Sequence, residues 1–279
     1  MLIFKTIAEA QSACALLRGE GRILGLVPTM GALHEGHLLL VRAARAACDV
    51  AAVSIFVNPT QFGPNEDFSR YPRTFDEDCA LLEREGVDLI FAPTVEEMYP
   101  AGASTFVLVE GVSDRLDGAS RPGHFRGVTT VVSKLFHIIG PHKAFFGQKD
   151  AAQVAVLRKM VRDLNFPLQL IVCPIVREAD GLALSSRNRY LTESERQQAL
   201  VLHRALRKVE ESTASGERSS AKLVEAARLV LAQEPGVRVD YIAVVDPETL
   251  EDVPDVRDGV LIAVAAFVGK TRLIDNALL

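Results

Sequence analysis

Cysteine is scarce in this chain. The four present among 279 residues, Cys14, Cys48, Cys79 and Cys173, are scattered and never stand at C-x-x-C spacing. That excludes a disulfide framework and a zinc ribbon. Each lies in an apolar or helical context that suits a small buried hydrophobe, and a reducing cytoplasm is the expected setting. Basic excess is missing as well: the formal net charge is -5, which argues against a nucleic-acid partner. No apolar run approaches the roughly 18 residues of a membrane span. The N-terminal stretch carries Lys5 and Glu9 early instead of a basic segment followed by an apolar one, so a soluble, unexported chain is expected. No fixed-period repeat is visible, and the only low-complexity hint is the polar stretch 210–220.

What is present is core material. With 48% hydrophobic residues the chain can bury a full core, and its length favours two domains over one. Apolar runs of strand length alternate with helix-period segments through the first two thirds. The pattern predicts strands at 23–27, 50–57, 87–91, 105–109, 143–146 and 168–172. It predicts helices at 38–47, 75–85, 127–139 and 150–163, with Arg42 and Arg45 on the wet side of the first and Asp150 as the N-cap of the last. This is the rhythm of a doubly wound parallel sheet covered on both faces. Beyond residue 175 the order changes to two helices, 193–212 and 219–234, and then two strands, 237–245 and 259–268. The expected architecture is a Rossmann-like α/β domain over 1–175 and a smaller α+β domain over 176–279.

Open parallel sheets bind ligands beyond the carboxyl ends of their strands. The first such end reads Pro28-Thr29-Met30-Gly31-Ala32-Leu33-His34-Glu35-Gly36-His37 and runs into a helix. Small residues there admit a close ligand, and a helix start offers unpaired N–H groups to phosphate. His34 and His37, three apart, can face one anion, either protonated or donating through a ring nitrogen. Two alternatives compete. Zinc ligation is disfavoured because H-E-G-H lacks the i, i+4 spacing of a zinc helix; plain solvent-facing histidines are the other.

Three further clusters follow. Asn58-Pro59-Thr60-Gln61-Phe62-Gly63 offers amides suited to a hydroxyl or carboxylate, or is simply a turn. Phe145-Phe146-Gly147-Gln148-Lys149-Asp150 is another strand end turning into a helix. There Lys149 can meet phosphate, Asp150 can cap the helix or bind a ribose hydroxyl, and Gln153 lies one turn on; a polar cap over a buried strand is the alternative. Leu182-Ala183-Leu184-Ser185-Ser186-Arg187-Asn188 sets two hydroxyls before a guanidinium, an anion clasp or a surface turn.

Taken together the clusters are far more specific. The His-x-Gly-His turn and the distant Ser-Ser-Arg loop resemble the paired signatures of the nucleotidylyltransferase superfamily. Within it PTMGALHEGH, FVNPTQFGPNEDFSRYPR, RPGHFRGVTTVVSKLF, FFGQKDAAQ and GLALSSRN resemble the pantoate–β-alanine ligase (pantothenate synthetase) family. The likeness covers about residues 20–195 in order and spacing.

The resemblance implies the following roles. Residues Met30, Gly31, Ala32, Leu33, His34, Glu35, Gly36 and His37 would form one part of the ATP site, with His37 as acid or donor. Gly147, Gln148, Lys149, Asp150, Val176, Leu184, Ser185, Ser186 and Arg187 would form the rest. Gln61, Gln153, Pro28 and Thr29 would hold pantoate, with Gln61 also near β-alanine. The position of Leu184 is commonly Met in the family; similar volume keeps the apolar contact. The implied reaction has two halves: pantoate's carboxylate attacks the α-phosphorus of ATP, and the amine of β-alanine then displaces AMP. His34, His37, Lys149 and Arg187 would stabilise charge, with Mg²⁺ carried in on ATP. The protein carboxylate near that metal is left open, Asp78 being one candidate and equally a solvated helix residue. No base for the amine is identified. The loop 63–73 is expected to cover the adenylate, and a homodimer is implied. The alternatives are another nucleotidyl transferase, a tRNA synthetase (disfavoured by length and charge), and a silent ATP-binding or interaction protein.

Overall fold

The computed structural model describes residues 1–64 and 66–279. Six strands build the first sheet: β1 (Leu2–Phe4), β2 (Leu24–Thr29), β3 (Val50–Ile55), β4 (Leu89–Phe91), β5 (Lys143–Gly147) and β6 (Gln169–Cys173). All pair in parallel, in the order β1-β4-β3-β2-β5-β6. The helices of this part are α1 (Ile7–Gly19), α2 (Glu35–Ala47), α3 (Phe75–Arg84), α4 (Val95–Met98), α5 (Asp117–Ser120), α6 (His124–Ile139) and α7 (Ala151–Asp163).

Strand periodicity explains the layers. Leu24, Leu26, Val50, Ala52 and Phe91 face α1, α6 and α7, whereas Val27, Ala51, Val53 and Ile90 face α2 and α3. Because both faces are covered, β2 and β3 read as near-continuous apolar runs without polar alternation, interrupted only near their carboxyl ends by Thr29 and Ser54. The chain leaves β2 toward β3 and β4, then crosses back to lay β5 on the other side of β2. A crevice opens at such a reversal, beyond the carboxyl ends of β2 and β5.

The remaining chain forms α8 (Glu193–Ala214), α9 (Ser220–Leu231), β7 (Val237–Val245), β8 (Leu261–Val268) and β9 (Thr271–Leu278). The three strands make an antiparallel sheet in sequential order, and α8 and α9 pack on it around Leu202, Leu206 and Leu223. No helix among the described residues is long and apolar enough to cross a membrane. Cys14 and Cys173 are buried, Cys48 and Cys79 partly so, and none is paired.

One expected strand is absent. Residues 105–109 alternate like a strand, but among the described residues no strand lies beside them. The Val107 amide donates to the Thr130 hydroxyl at 3.0 Å, and its carbonyl accepts from Thr129 at 2.6 Å. Two hydroxyls on α6 thus replace a sheet neighbour.

Candidate active site

The turn after β2 is built by a buried aspartate. Asp78 on α3 accepts from the amides of Ala32 (2.9 Å) and Leu33 (2.8 Å) and from the Thr74 hydroxyl (3.2 Å). These bonds hold Gly31 and Ala32 at positive φ, 79° and 51°, a conformation in which alanine needs support. Asp78 is 1% exposed and bonded at both oxygens, so it supports the turn and is not a solvated helix residue.

The histidines follow from the same turn. His34 is the N-cap of α2, its Nδ1 accepting from the Gly36 amide at 3.2 Å. His37 Nδ1 accepts from the His34 amide at 3.3 Å. With Nδ1 of each ring an acceptor, Nε2 carries the proton in both, giving two neutral N–H donors. The rings stack with centroids 4.1 Å apart. Burial, with Lys149 adding repulsion, lowers the His34 pKa to about 4. Burial, then His34 and Lys149, lower that of His37 to about 3. Gly36 is needed here, because an added Cβ would lie 3.0 Å from the His34 ring.

The expectation of free amides at this helix start is corrected. The amides of Gly31, Ala32, Leu33, His34, Gly36, His37 and Leu38 already have acceptors in the protein. An anion at this turn would therefore be met by the two Nε2–H groups.

Beyond β3, buried Asn58 fixes the second cluster. Its Oδ1 accepts from the hydroxyls of Thr60 and Tyr99, both at 2.9 Å. Its Nδ2 donates to Gln61 Oε1 and to the Gly127 carbonyl, both at 3.1 Å. Gln61 in turn points Nε2 at the Met30 sulfur, 3.2 Å away. Helix α6 lies so close that a Cβ on Gly127 would meet the Thr60 carbonyl at 2.3 Å. Between these parts lies a cavity of about 190 Å³. Phe56, Val128, Val131, Leu135 and Phe146 form its apolar wall, and Asn58, Gln61, Gln153, His37, Asp150 and Arg187 bring polar groups to it.

The turn after β5 is held from the second sheet. Asn276 on β9 donates to the carbonyls of Gln148 (3.0 Å) and Lys149 (2.9 Å) and accepts from the Gln148 side chain (3.1 Å). Lys149 and Asp150 are left facing an adjoining cavity, with Nζ 3.9 Å from Oδ1. Asp150 stands at the N-cap position of α7, yet its side chain makes no capping bond.

The Ser-Ser-Arg segment packs onto the histidine turn. The Leu184 amide donates to the Val176 carbonyl at 3.0 Å, and an added Cβ on Gly36 would lie 3.9 Å from that of Leu184. Ser185 caps the short 3-10 turn Ser186–Tyr190. Arg187 Nε and Nη2 donate to Asp67 Oδ2 (3.0 Å) and Oδ1 (2.9 Å), and the hydroxyls of Tyr71 and Ser186 lie 3.2 Å apart. Burial works to raise the Asp67 pKa, but the Arg187 guanidinium overrides it and the net shift is downward. The loop that carries Asp67 and Tyr71 thus lies against this segment.

The family model for pantoate–β-alanine ligase matches residues 2–278. The chain belongs to the pantoate–β-alanine ligase family. It is 66% identical to the pantothenate synthetase of Acidobacterium capsulatum over 99% of this chain and 96% of that one. Its fold is similar to the crystal structure of the pantothenate synthetase from Thermus thermophilus, with TM-score 0.94, 48% identity and 99% of each chain covered. It is also similar to the Francisella tularensis pantoate–β-alanine ligase complexed with β,γ ATP and β-alanine, with TM-score 0.82 and 35% identity over 100% of this chain and 97% of that one. These matches set aside the tRNA synthetase, the other nucleotidyl transferases and the silent binding protein.

Within this family fold the four sequence clusters meet at the crevice beyond β2 and β5. His37, Met30, Gln61, Gln153, Asp150 and Arg187 line the larger cavity, and Lys149, Ser185 and Ala183 the adjoining one. Ala32 and Leu33 are buried and shape the turn from behind. Sequence reasoning missed Glu66, Asp67, Arg121 and His124 as individual residues, although both segments were among the matching motifs. Arg121 Nε and Nη2 grip Glu66 Oε1 and Oε2 at 2.6 and 2.7 Å. His124 Nδ1 lies 2.8 Å from the Gln61 carbonyl and Nε2 lies 3.0 Å from Arg121 Nη1. A carbonyl only accepts and a guanidinium only donates, so Nδ1 holds the proton of this ring. Burial, then Arg121, lower its pKa to about 4.

Proposed function

We propose that the residues gathered at the β2/β5 crevice carry the reaction of the family, ATP-dependent condensation of pantoate with β-alanine to give pantothenate. One observation supports this most strongly. A cavity with an apolar wall and two glutamines (Gln61 and Gln153) adjoins one with a lysine, a serine and an arginine, and the histidine turn borders the first. The apolar wall suits the dimethyl carbon of pantoate, and the amides suit its hydroxyls and carboxylate.

In the first half-reaction a pantoate carboxylate oxygen attacks the α-phosphorus of ATP, pyrophosphate leaves, and pantoyl adenylate remains. His34 and His37 donate through Nε2–H to phosphate oxygens on which charge accumulates, while remaining neutral themselves. Lys149 adds a point charge, and Arg187 joins once it lets go of Asp67. In the second half-reaction the β-alanine nitrogen attacks the acyl carbon, and the C–O bond to AMP breaks. His124 is not the base for that step, because its lone pair faces Arg121. Glu66 is not either: burial works to raise its pKa, but Arg121 holds it near 2. The described part of loop 63–73, residue 65 lying outside the described residues, keeps water from the adenylate through Tyr71, whose hydroxyl lies beside that of Ser186.

Mg²⁺ supplies charge neutralisation on the triphosphate when bound. Asp150, uncapped and half-exposed in the cavity, is the carboxylate that fits an ion kept largely by waters and phosphate oxygens. Residues 1–175 and 176–279 serve as the two domains, and the protein works in the cytoplasm as a homodimer. The exposed Phe106 and Leu108 support that association.

Omitting one substrate at a time tests the assignment. Pyrophosphate release should need ATP and pantoate but not β-alanine, and AMP release at steady state should need all three. Pyrophosphate formed without pantoate would rule the reading out.

A further inference from the structure

Both cavities of the crevice share Arg121, His124, Asp150, Gln153 and Arg187. Lys149 and Arg187 are assigned to phosphate, which leaves Arg121 without a substrate role. Arg272 lines only the smaller cavity and is occupied by Asp117 and Asp240, at 2.7 and 2.8 Å.

We propose that Arg121 anchors the carboxylate of β-alanine, and that Glu66 holds that place until the substrate arrives. This rests on the reaction proposed above and deepens it. Two sides of the guanidinium are fixed by the protein: Nη1 donates to His124 Nε2 at 3.0 Å, and Nη2 reaches the Gln61 carbonyl at 3.4 Å. The remaining edge, Nε and Nη2, forms a planar fork, and a carboxylate already sits in it. That carboxylate comes from the loop that also carries Asp67, and its other bond is from the Gly63 amide at 3.2 Å.

A substrate carboxylate has the same fork-matching geometry. Two methylenes separate it from the amine, so the nitrogen lies on the order of 5 Å away. From Arg121 that distance leads past Gln61, whose side chain points at Met30 and the histidine turn. The attacking nitrogen is thereby brought to the side where pantoate is expected. His124 acts as a positioning residue: neutral and bonded at both nitrogens, it orients the guanidinium without competing for the anion.

Glu66 also makes the arrangement selective. An amine without a carboxylate cannot take its place on Arg121, so such an amine meets an occupied fork. A neutral analogue is then rejected through a group that belongs to the enzyme.

The test compares β-alanine with 3-aminopropanamide as acceptor, and follows pantoate-dependent ATP–pyrophosphate exchange for the first half-reaction. Arg121→Gln is expected to raise the β-alanine KM roughly 10²-fold and to collapse the preference for β-alanine over the amide by a similar factor. The exchange rate should fall far less than kcat/KM for β-alanine. Arg121→Lys, which keeps the charge and loses the fork, should lose about tenfold of the preference, and carries the test if Arg121→Gln does not fold. Glu66→Gln should lower the β-alanine KM several-fold. An unchanged preference in the arginine variants, or a raised β-alanine KM in Glu66→Gln, would overturn the proposal. Absence of pantoate-dependent exchange in the unsubstituted protein would instead strike the reaction assigned to the crevice, and this inference with it.

Discussion

Asp67 and Arg187 face each other as a two-bond ion pair, Nε to Oδ2 at 3.0 Å and Nη2 to Oδ1 at 2.9 Å, across 120 residues of sequence. The pair ties the covering loop to the Ser-Ser-Arg segment. It also occupies a guanidinium assigned to ATP, so nucleotide and loop compete for one group. Asp67→Asn should therefore lower the KM for ATP several-fold. Steady-state rates at varied ATP concentration read the effect; an unchanged KM for ATP would show that Asp67 and the nucleotide do not compete for Arg187.

Asp78 is expected to matter for folding and not for metal. Asp78→Ala strands two buried amides that hold a left-handed alanine, which costs about 3 kcal/mol or more. Urea unfolding measures that loss directly. The Mg²⁺ concentration for half-maximal activity should stay where it is in any folded fraction, and a large shift would restore Asp78 as a metal ligand.

His37→Ala removes the Nε2–H proposed to meet developing phosphate charge, so kcat should fall by about 10²–10³. The His34 amide also loses its acceptor, a modest stability loss on the order of 1 kcal/mol. Stopped-time product assays beside thermal melts separate the two. Comparable losses in rate and stability would mean that the ring is structural.

The pH dependence of stability follows from three partly buried rings. The pKa values of His34, His37 and His124 are lowered to about 4, 3 and 4 in the folded chain. Below the unfolded value near 6.5 the unfolded chain binds more protons than the folded one. Stability is therefore full above about pH 6.5 and declines as pH falls toward the folded values. The carboxylates of Glu66 and Asp67, lowered by their arginines despite burial, extend the loss below their unfolded values. Denaturant midpoints from pH 7.5 to 4.5 check this, and a flat profile between 6.5 and 4.5 would contradict it.

How legible these features were depended on sequence separation. PTMGALHEGH could be read because a buried strand, a glycine turn and a helix start are local patterns, and the Lys149 and Ser-Ser-Arg clusters were found the same way. The Asp78 support was hidden because its partners lie 46 and 45 residues away. Arg121, His124 and Glu66 form a unit only after α6 has docked on the Asn58–Gln61 turn. Residues 105–109 looked like a strand because alternation reports burial on one side, not the identity of the backbone's partner. The short edge strand β1 and the last strand β9 gave too little periodicity, although β9 supplies the Asn276 that holds the Lys149 turn. Helix α1 is announced by its Thr6–Glu9 capping box, a local signal that stands in the sequence without an apolar stripe strong enough to mark the helix behind it.

The fate of one oxygen atom tests the central claim most directly. Pantoate labelled with ¹⁸O in its carboxylate is incubated with ATP, Mg²⁺ and β-alanine, and the products are weighed by mass spectrometry. Attack of that carboxylate on the α-phosphorus requires one ¹⁸O in AMP and the other in the amide carbonyl of pantothenate. Unlabelled AMP, with the label in free phosphate or pyrophosphate, would contradict the adenylate route and the roles given to His34, His37, Lys149 and Arg187.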